Sequence, residues 1–146
     1  MNDPLTLDPQ SQAERVVRGM MATDWFSQWL RIELLEVNPK RVTIRMTVRR
    51  EMLNGFQVCH GGVTFAFADS AFAFACNTQG RIAVSIENGM TYPAAVREGD
   101  VLTAAARETA ASNRMLFYEV VVTKEDGTVV GLFRGTAYRT EKRHQI

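Results

Sequence analysis

The spacing of apolar residues changes several times along the chain and predicts both helices and strands. Residues 11–30 place apolar side chains at helix-like intervals, which predicts one amphipathic helix with an interruption near Gly19 or Thr23. The next two stretches, RIELLEV and RVTIRMTV, alternate apolar and polar residues and are separated by Asn38-Pro39. They predict a hairpin of two half-buried strands.

An alanine- and phenylalanine-rich segment from residue 62 to about residue 78 predicts a second helix. Its interior contains neither Gly nor Pro, and Gly80 follows close to where a C-terminal cap is expected. Because its faces are apolar nearly all round, we expect other structure to enclose this helix. Residues 49–59, which contain Asn54-Gly55, lose the periodicity and are predicted to form the loop that leads into it.

Four strand-like stretches follow the second helix. They are RIAVSIENGMTY, VLTAAARETA, RMLFYEVVVTKE and TVVGLFRGTAYRT. Asp126-Gly127, between the last two, is a strong hairpin signal. Because the order shows no βαβ alternation, we predict an α+β fold in which an antiparallel sheet wraps around one central helix. We expect one domain over residues 15–140, a flexible N-terminal segment at 1–14 and a solvated C-terminal tail at 141–146.

Charge and cysteine content argue against several classes of partner. The chain has 17 basic and 16 acidic residues and a net charge of +1, so neither nucleic acid nor an anionic membrane is an expected partner. Cys59 and Cys76 have no metal-ligand spacing and are too few for a disulfide framework, which favours packing roles, no metal site and a reducing, cytoplasmic location. The first residues, MNDPLTLDPQSQAER, carry acids and prolines where a secretory leader needs a basic start and an apolar stretch, so we do not expect them to act as one. No segment reaches the roughly 18 apolar residues of a membrane span.

One carboxylate interrupts the apolar helix. Asp69 is the only ionisable side chain between Val63 and Cys76 apart from a thiol. The residues predicted to share its face are Phe65, Ala66, Phe72 and Ala73. Burying an unpaired charge there costs several kcal/mol or more. Asp69 therefore hydrogen-bonds a neighbouring strand, is reached by a seam of water, or serves chemistry, as a general base or as a nucleophile made more basic by its surroundings.

The start of the same helix offers a second chemical group. His60-Gly61-Gly62 lies where unpaired N–H groups and the positive end of the helix dipole favour an anion, such as the oxyanion formed when a carbonyl is attacked. His60 is expected to cap the helix, to position the Gly61 amide or to polarise the carbonyl. Asn54, which precedes it, is either a turn residue or a group that orients water or the acyl oxygen.

Helix geometry separates these two groups within one chain. Gly61 and Asp69 are eight positions apart, which corresponds to about 12 Å along a helix. They cannot both touch one carbonyl, so cooperation requires the acid of one subunit and the amide of another across a two-fold axis. The sequence therefore predicts a homodimer with shared sites.

Several motifs together resemble the hotdog-fold acyl-CoA thioesterases, most closely those of the phenylacetate pathway (PaaI-type). They are Met52-Leu53-Asn54-Gly55, His60-Gly61-Gly62, Ala68-Asp69, the stretch FACNTQG at 74–80, Gly99-Asp100 and LFRGTAYR at 132–139. The resemblance implies a hotdog fold and hydrolysis of aryl-acetyl-CoA esters, with no cofactor besides the CoA of the substrate. It also implies dimers that pair into tetramers.

The resemblance also implies a role for each candidate site residue. Asp69 activates water or attacks the thioester, the Gly61 amide of the partner subunit binds the thioester oxygen, and Asn54 and His60 complete the site. Where some related thioesterases carry a hydroxyl one turn after the acid, this chain has Ala73, so water placement is expected to fall to Asn54 or to backbone groups. Two other functions stay open: a non-catalytic acyl-CoA-binding hotdog protein, and a hotdog hydratase or dehydratase that uses His60 and Asp69.

Overall fold

The structure, a computed structural model, describes residues 7–146 and contains three α-helices. They are α1 (Pro9–Thr23), α2 (Trp25–Trp29) and α3 (Gly61–Asn77), and a short 3₁₀ helix covers Arg50–Met52. The single helix predicted over 11–30 is divided at Asp24, one residue after the predicted break at Thr23. The Asp24 side chain accepts a hydrogen bond from the Ser27 N–H and caps α2, so the chain restarts as a new helix.

Six strands form one antiparallel sheet, as the alternation of apolar and polar residues predicts. The strands are β1 (Glu33–Asn38), β2 (Arg41–Thr47), β4 (Val101–Ala111), β5 (Met115–Lys124), β6 (Val129–Arg143) and β3 (Arg81–Thr91), in their order across the sheet. Consecutive strands β4, β5 and β6 are neighbours, and β3 pairs with β6 to form one edge. The outer side of β3 has no partner strand among the described residues.

Helix α3 lies across the inner face of this sheet and supplies much of the core. Phe67, Phe72 and Phe74 are fully buried, and the Phe72 ring packs against Tyr118 and Phe133. An added Cβ at Gly135 of β6 would lie 2.9 Å from the Phe72 ring, so the close approach of helix and sheet requires a glycine there. The predicted central helix within an antiparallel α+β fold is confirmed.

Enclosure of α3 is less complete than its composition predicts. Most of its residues are buried, but one stripe is partly exposed in the single chain. The stripe consists of Gly62, Phe65, Ala66, Asp69 and Ala73, at spacings of three and four residues. These residues share one helix face because of the 3.6-residue period, and neither the sheet nor α1 and α2 fully cover that face.

Both ends of the domain differ from the predicted limits. Helix α1 begins at Pro9, inside the segment 1–14 that was expected to be flexible, while residues 1–6 lie outside the described part of the chain. At the other end β6 continues through Arg143, past the predicted limit at residue 140. The His144 N–H then donates to the Gly80 carbonyl, so only the last residues of the predicted tail are free of the sheet.

Among residues 7–146, none of the helices is both long and apolar enough to cross a membrane.

Asn77 joins the end of α3 to the start of β3 and to the C-terminal residues. Its Nδ2 donates to the carbonyls of Ala73 and Ala83, and its Oδ1 accepts from the Ala83 N–H (2.9 Å) and lies 2.7 Å from Nε2 of His144. The side chain is almost fully buried. Asn77 therefore provides polar partners that water cannot replace.

We predict that Asn77→Leu destabilises the fold by about 2–4 kcal/mol, because it leaves the Ala83 backbone groups buried without partners. Urea denaturation followed by circular dichroism measures this change. Asn113→Leu, in the exposed β4–β5 turn, is the matched control and should shift stability by less than about 0.5 kcal/mol. Equal stability of the two variants would contradict a structural role for Asn77.

Candidate active site

The start of α3 presents a backbone donor. His60 is the N-cap residue, and its Nδ1 accepts a hydrogen bond from the Gly62 N–H at 2.9 Å. A neutral His60 therefore carries its proton on Nε2. The N–H of Gly61 has no acceptor among residues 7–146 and stands at the positive end of the helix dipole.

Tyr92 holds the backbone of the same turn. Its hydroxyl donates to the Gly61 carbonyl at 2.8 Å, and its ring lies 3.4 Å from the position that a Cβ on Gly61 would occupy. Tyr92 directly follows β3, so the end of the edge strand anchors the Gly61–Gly62 peptide, which adjoins the peptide that carries the Gly61 N–H. The sequence patterns gave no indication of this contact, because the two residues are 31 positions apart.

Asn54 acts as a turn residue in the loop before α3. Its Oδ1 accepts from the Phe56 N–H at 2.9 Å, and its own N–H donates to the Val58 carbonyl. A bridge between Leu53 and Cys59 closes the loop. The turn interpretation is therefore confirmed, while a role in orienting water or the acyl oxygen stays a prediction for its Nδ2.

Asp69 lies near the middle of α3, half-buried within the partly exposed stripe. Its Oδ1 accepts a hydrogen bond from Nδ2 of Asn88 on β3 at 3.0 Å, and its Oδ2 has no hydrogen-bond partner among the described residues. The structural interpretation, that Asp69 bonds a neighbouring strand, is thus correct for one oxygen. The other oxygen is available for chemistry.

The surroundings of Asp69 make its carboxylate more basic. Burial raises the pKa of Asp69 above its ordinary value, the hydrogen bond from Asn88 opposes that rise, and the nearby Asp24 carboxylate adds to it. Because Asp24 caps α2, the position of that helix contributes to the electrostatics of the site. A carboxylate with a raised pKa is a stronger base for activating water.

The two cysteines are buried and unpaired, as their spacing predicts. Burial raises the pKa of the Cys59 thiol, although a hydrogen bond from Thr64 opposes that rise. Burial, together with the negative charge of Asp69, raises the pKa of Cys76 to about 12. Both thiols are therefore neutral near pH 7 and unsuited to act as nucleophiles.

A single chain brings only some of the candidate residues together. His60 and Gly61 adjoin at the helix start, and the loop containing Asn54 ends there. Asp69 lies about 12 Å further along the same helix. The acid and the free amide are therefore too far apart to act on one carbonyl within one chain.

Sequence reasoning missed Asn88, which makes the one hydrogen bond to the Asp69 carboxylate seen in residues 7–146. One signal was present in the sequence. Asn and Gly are depleted in strand interiors, yet Asn88-Gly89 occurs within a strand-like stretch. Such an exception to local propensity is typical of a functional or strained position.

Comparison with known proteins places this geometry in a family. The model of the thioesterase superfamily matches residues 56–131, a range that includes the start of α3, Asp69 and Asn88. The chain belongs to the thioesterase superfamily. The predictions of a hotdog fold and of a thioester hydrolase are therefore confirmed.

Individual relatives cover most of the chain. The acyl-coenzyme A thioesterase PaaI of Escherichia coli is 35% identical over 83% of this chain and 86% of that protein. The structure of E. coli PaaI, from the phenylacetic acid degradation operon, superposes with a TM-score of 0.91, at 32% identity over 93% of this chain and 99% of that one. A variant of the phenylacetic acid degradation protein PaaI of Thermus thermophilus has a TM-score of 0.77, at 37% identity over 80% of this chain and 100% of that one.

We predict that Asp69→Asn makes the protein more stable at neutral pH. The pKa of Asp69 is raised in the folded state, so folding favours the protonated form. Protonated Asp69 therefore adds its full stabilisation at pH values below the pKa of Asp69 in the unfolded chain, near 3.8. This stabilisation is lost as the pH rises through the pKa of Asp69 in the folded protein. Asparagine mimics the protonated acid, so the urea midpoint of the variant should exceed that of wild type at pH 7.

The difference between the two midpoints should shrink as pH falls toward the ordinary pKa of an aspartate. Asp100→Asn is a useful control, because Asp100 pairs with Lys124 at 3.2 Å and its replacement should not stabilise the protein. A lower urea midpoint for Asp69→Asn than for wild type at neutral pH would show that the ionised acid stabilises the fold.

Proposed function

We propose that the protein hydrolyses aryl-acetyl-CoA thioesters, phenylacetyl-CoA or its ring-hydroxylated forms, to the free acid and CoA. The observation that carries the proposal is Asp69, a half-buried carboxylate on an apolar helix face with one oxygen anchored by Asn88 and the other without a hydrogen-bond partner in the described part of the chain. The relatives named PaaI support a role in phenylacetate degradation. We expect this reaction in the cytoplasm, as the unpaired cysteines favour.

The mechanism assigns the two halves of the site to two subunits. The Gly61 N–H of one protomer donates to the thioester oxygen, which gains negative charge as the carbonyl carbon is attacked. Asp69 of the other protomer removes a proton from the attacking water or attacks the carbon itself. Collapse of the tetrahedral intermediate breaks the C–S bond and releases CoA as its thiolate, which then takes up a proton. When Asp69 itself attacks, this step leaves a mixed anhydride of the acyl group and Asp69, and a water molecule hydrolyses that anhydride to release the free acid and restore the carboxylate.

Features of the single chain support assembly into a dimer. The partly exposed stripe on α3 contains Asp69 among small and apolar residues, and it is the helix face that a second copy could cover. The outer edge of β3 has no partner strand among residues 7–146, and this strand also carries the exposed side chains of Val84 and Ile86, so a second copy could pair with or cover it. We propose a two-fold dimer with shared sites, paired into tetramers.

Aromatic side chains on α2, the helix bonded to α3 beside Asp69, support an aryl substrate. Helix α2 is tied to α3 by a 2.9 Å hydrogen bond between Ser27 and Ser70, the residue after Asp69. Phe26 and Trp29 of α2 are stacked and about half exposed. Aromatic rings add about 0.5–1.5 kcal/mol per pair beyond burial, so such a surface favours an aryl group over an alkyl group of similar size.

We predict that Asp69→Ala lowers kcat/KM on phenylacetyl-CoA by about 10³-fold or more, because the base or nucleophile is removed. Thiol release from a panel of aryl and alkyl acyl-CoAs measures the loss and defines the preferred acyl group. Circular dichroism and the mass of the assembly verify that the variant is folded and assembled. Wild-type rates across the panel would refute the role of Asp69.

The same panel separates the alternatives. A non-catalytic binder would retain acyl-CoA affinity without releasing thiol at any pH. A dehydratase would convert a 3-hydroxyacyl thioester to the enoyl product without free thiol. Single turnover in ¹⁸O-labelled water tests direct attack by Asp69, because label in its carboxylate requires an anhydride that water opens at the aspartyl carbon, whereas general-base activation of water places label only in the released acid.

We predict that Gly61→Pro lowers kcat by about 10²–10³-fold, because it removes the N–H that binds the oxyanion. Proline is favoured in the first turn of a helix, and His60 already has the extended backbone (φ −59°, ψ 130°) required before a proline. Gly61→Ala is the matched control, since it keeps the N–H and its Cβ makes only an ordinary contact with Tyr92. Steady-state thiol release measures both variants.

Coexpression of differently tagged Gly61→Pro and Asp69→Asn chains tests whether the sites are shared. A mixed dimer has one site with both changes and one site with neither, so purified mixed dimers should recover about half of the wild-type activity. Sites built within one chain would recover none. That result, with activity intact in wild type, would refute the shared site without refuting hydrolysis.

A further inference from the structure

Asn88 connects the edge strand of the sheet to the reactive carboxylate. It lies on β3, half-buried, and is 19 positions from Asp69 in the chain. Its Nδ2 donates to Oδ1 of Asp69 at 3.0 Å. An ionised carboxylate can only accept hydrogen bonds, so an amide beside it must present its NH₂ group.

Ser85 fixes that orientation of the amide. The Ser85 hydroxyl lies 2.9 Å from Oδ1 of Asn88 and can donate to it. With the amide oxygen engaged by Ser85, the NH₂ group points toward Asp69. Ser85, Asn88 and Asp69 thus form a chain of hydrogen bonds in which each donor has one defined acceptor.

An irregularity of β3 makes this chain of hydrogen bonds possible. Side chains alternate between the two faces of a strand, so residues 85 and 88 would normally point to opposite faces. The register shifts between Ser85 and Glu87, and as a result Ser85 is opposite Ala137 while Asn88 is opposite Gly135. Both side chains therefore face α3, which is the kind of re-aiming that a β-bulge provides near active sites.

We infer that Asn88 is a positioning residue: it anchors Oδ1 of Asp69 and leaves Oδ2 of Asp69 directed to the reacting thioester or water. This inference rests on the proposed function, since it concerns the same carboxylate. Asn88 touches Asp69 and need not touch the substrate. Without it the carboxylate could rotate about its side-chain bonds, and either oxygen could turn away from the reaction centre.

The electrostatics of the site give Asn88 a second effect. The charged and titratable groups that act on Asp69 are Asp24 at the junction of α1 and α2, whose negative charge opposes ionisation, and Cys76 on α3, which is neutral near pH 7. Burial also opposes ionisation. The Asn88 N–H favours the carboxylate, so its loss would raise the pKa of Asp69 further.

The test compares pH profiles of kcat/KM for wild type, Asn88→Leu and Ser85→Ala. Asn88→Leu keeps a similar side-chain volume and removes the hydrogen-bond donor, so the acid limb of the kcat/KM profile should move up by about one pH unit. At neutral pH we expect at least a tenfold loss of kcat, with KM changed less than about threefold. Ser85→Ala, at an exposed position, should give a smaller shift in the same direction because the amide can then turn.

Two further variants define the outcome. Asn88→Gln retains an amide and should recover part of the shift, while Asn113→Leu, far from Asp69 on the β4–β5 turn, should leave the profile unchanged. If Asn88 had only a structural role, its replacement by Leu would lower activity equally at all pH values. If Asn88→Leu does not fold, Ser85→Ala and Asn88→Gln still decide the question by their acid limbs.

A direct readout separates this inference from the proposed function. Carbon-13 NMR of labelled aspartate follows the titration of the Asp69 carboxyl, identified by its absence in Asp69→Asn. Its pKa should rise in Asn88→Leu. An unchanged titration and acid limb, with Asp69→Ala inactive, would overturn the role of Asn88 and leave hydrolysis intact. No thiol release by the wild type would overturn the proposed function, and with it any catalytic effect of Asn88.

Discussion

The close seating of α3 on the inner face of the sheet is the constraint on which the rest of the structure depends. The helix is almost entirely apolar, so it is stable only where the sheet and the N-terminal helices remove its side chains from water. Glycine at position 135 allows Phe72 to approach the strands, and three of the four phenylalanines of the helix are fully buried. This packing determines which stripe of the helix stays open.

That stripe explains how a carboxylate can occupy an apolar helix. Asp69 lies on the face that one chain leaves partly uncovered, so the charge retains some solvent and one hydrogen bond from the sheet. Its raised pKa is the consequence of this position. A fully buried acid would be neutral, and a fully exposed acid would be a weaker base, so partial burial suits the chemistry of an activated carboxylate.

The edge strand β3 contributes more to the site than its pattern suggests. Its register shift directs Ser85 and Asn88 toward α3, and the residue after its end, Tyr92, holds the Gly61 peptide. The same strand therefore supports the acid in the middle of α3 and the amide at its start. Because it is an edge strand, its outer side is also available to a second chain, which links the geometry of the site to the proposed dimer.

Sequence alone predicted the parts of this protein that depend on local patterns. Period-two alternation located the strands, composition located the apolar helix, and His60-Gly61-Gly62 with Asp69 identified both candidate halves of the site. The helical rise by itself indicated that these halves are about 12 Å apart in one chain, since that distance depends only on helix geometry. Such features follow from residues close together in sequence.

Only the tertiary structure decided the contacts between distant segments. The bond from Asn88 to Asp69 and the bond from Tyr92 to Gly61 join residues 19 and 31 positions apart, and both depend on the register of β3 against β6. A shift of one residue reverses which side chains face the helix, so no local pattern specifies these pairs. The ends of the domain were also decided by packing, because His144 reaches back to α3 after β6.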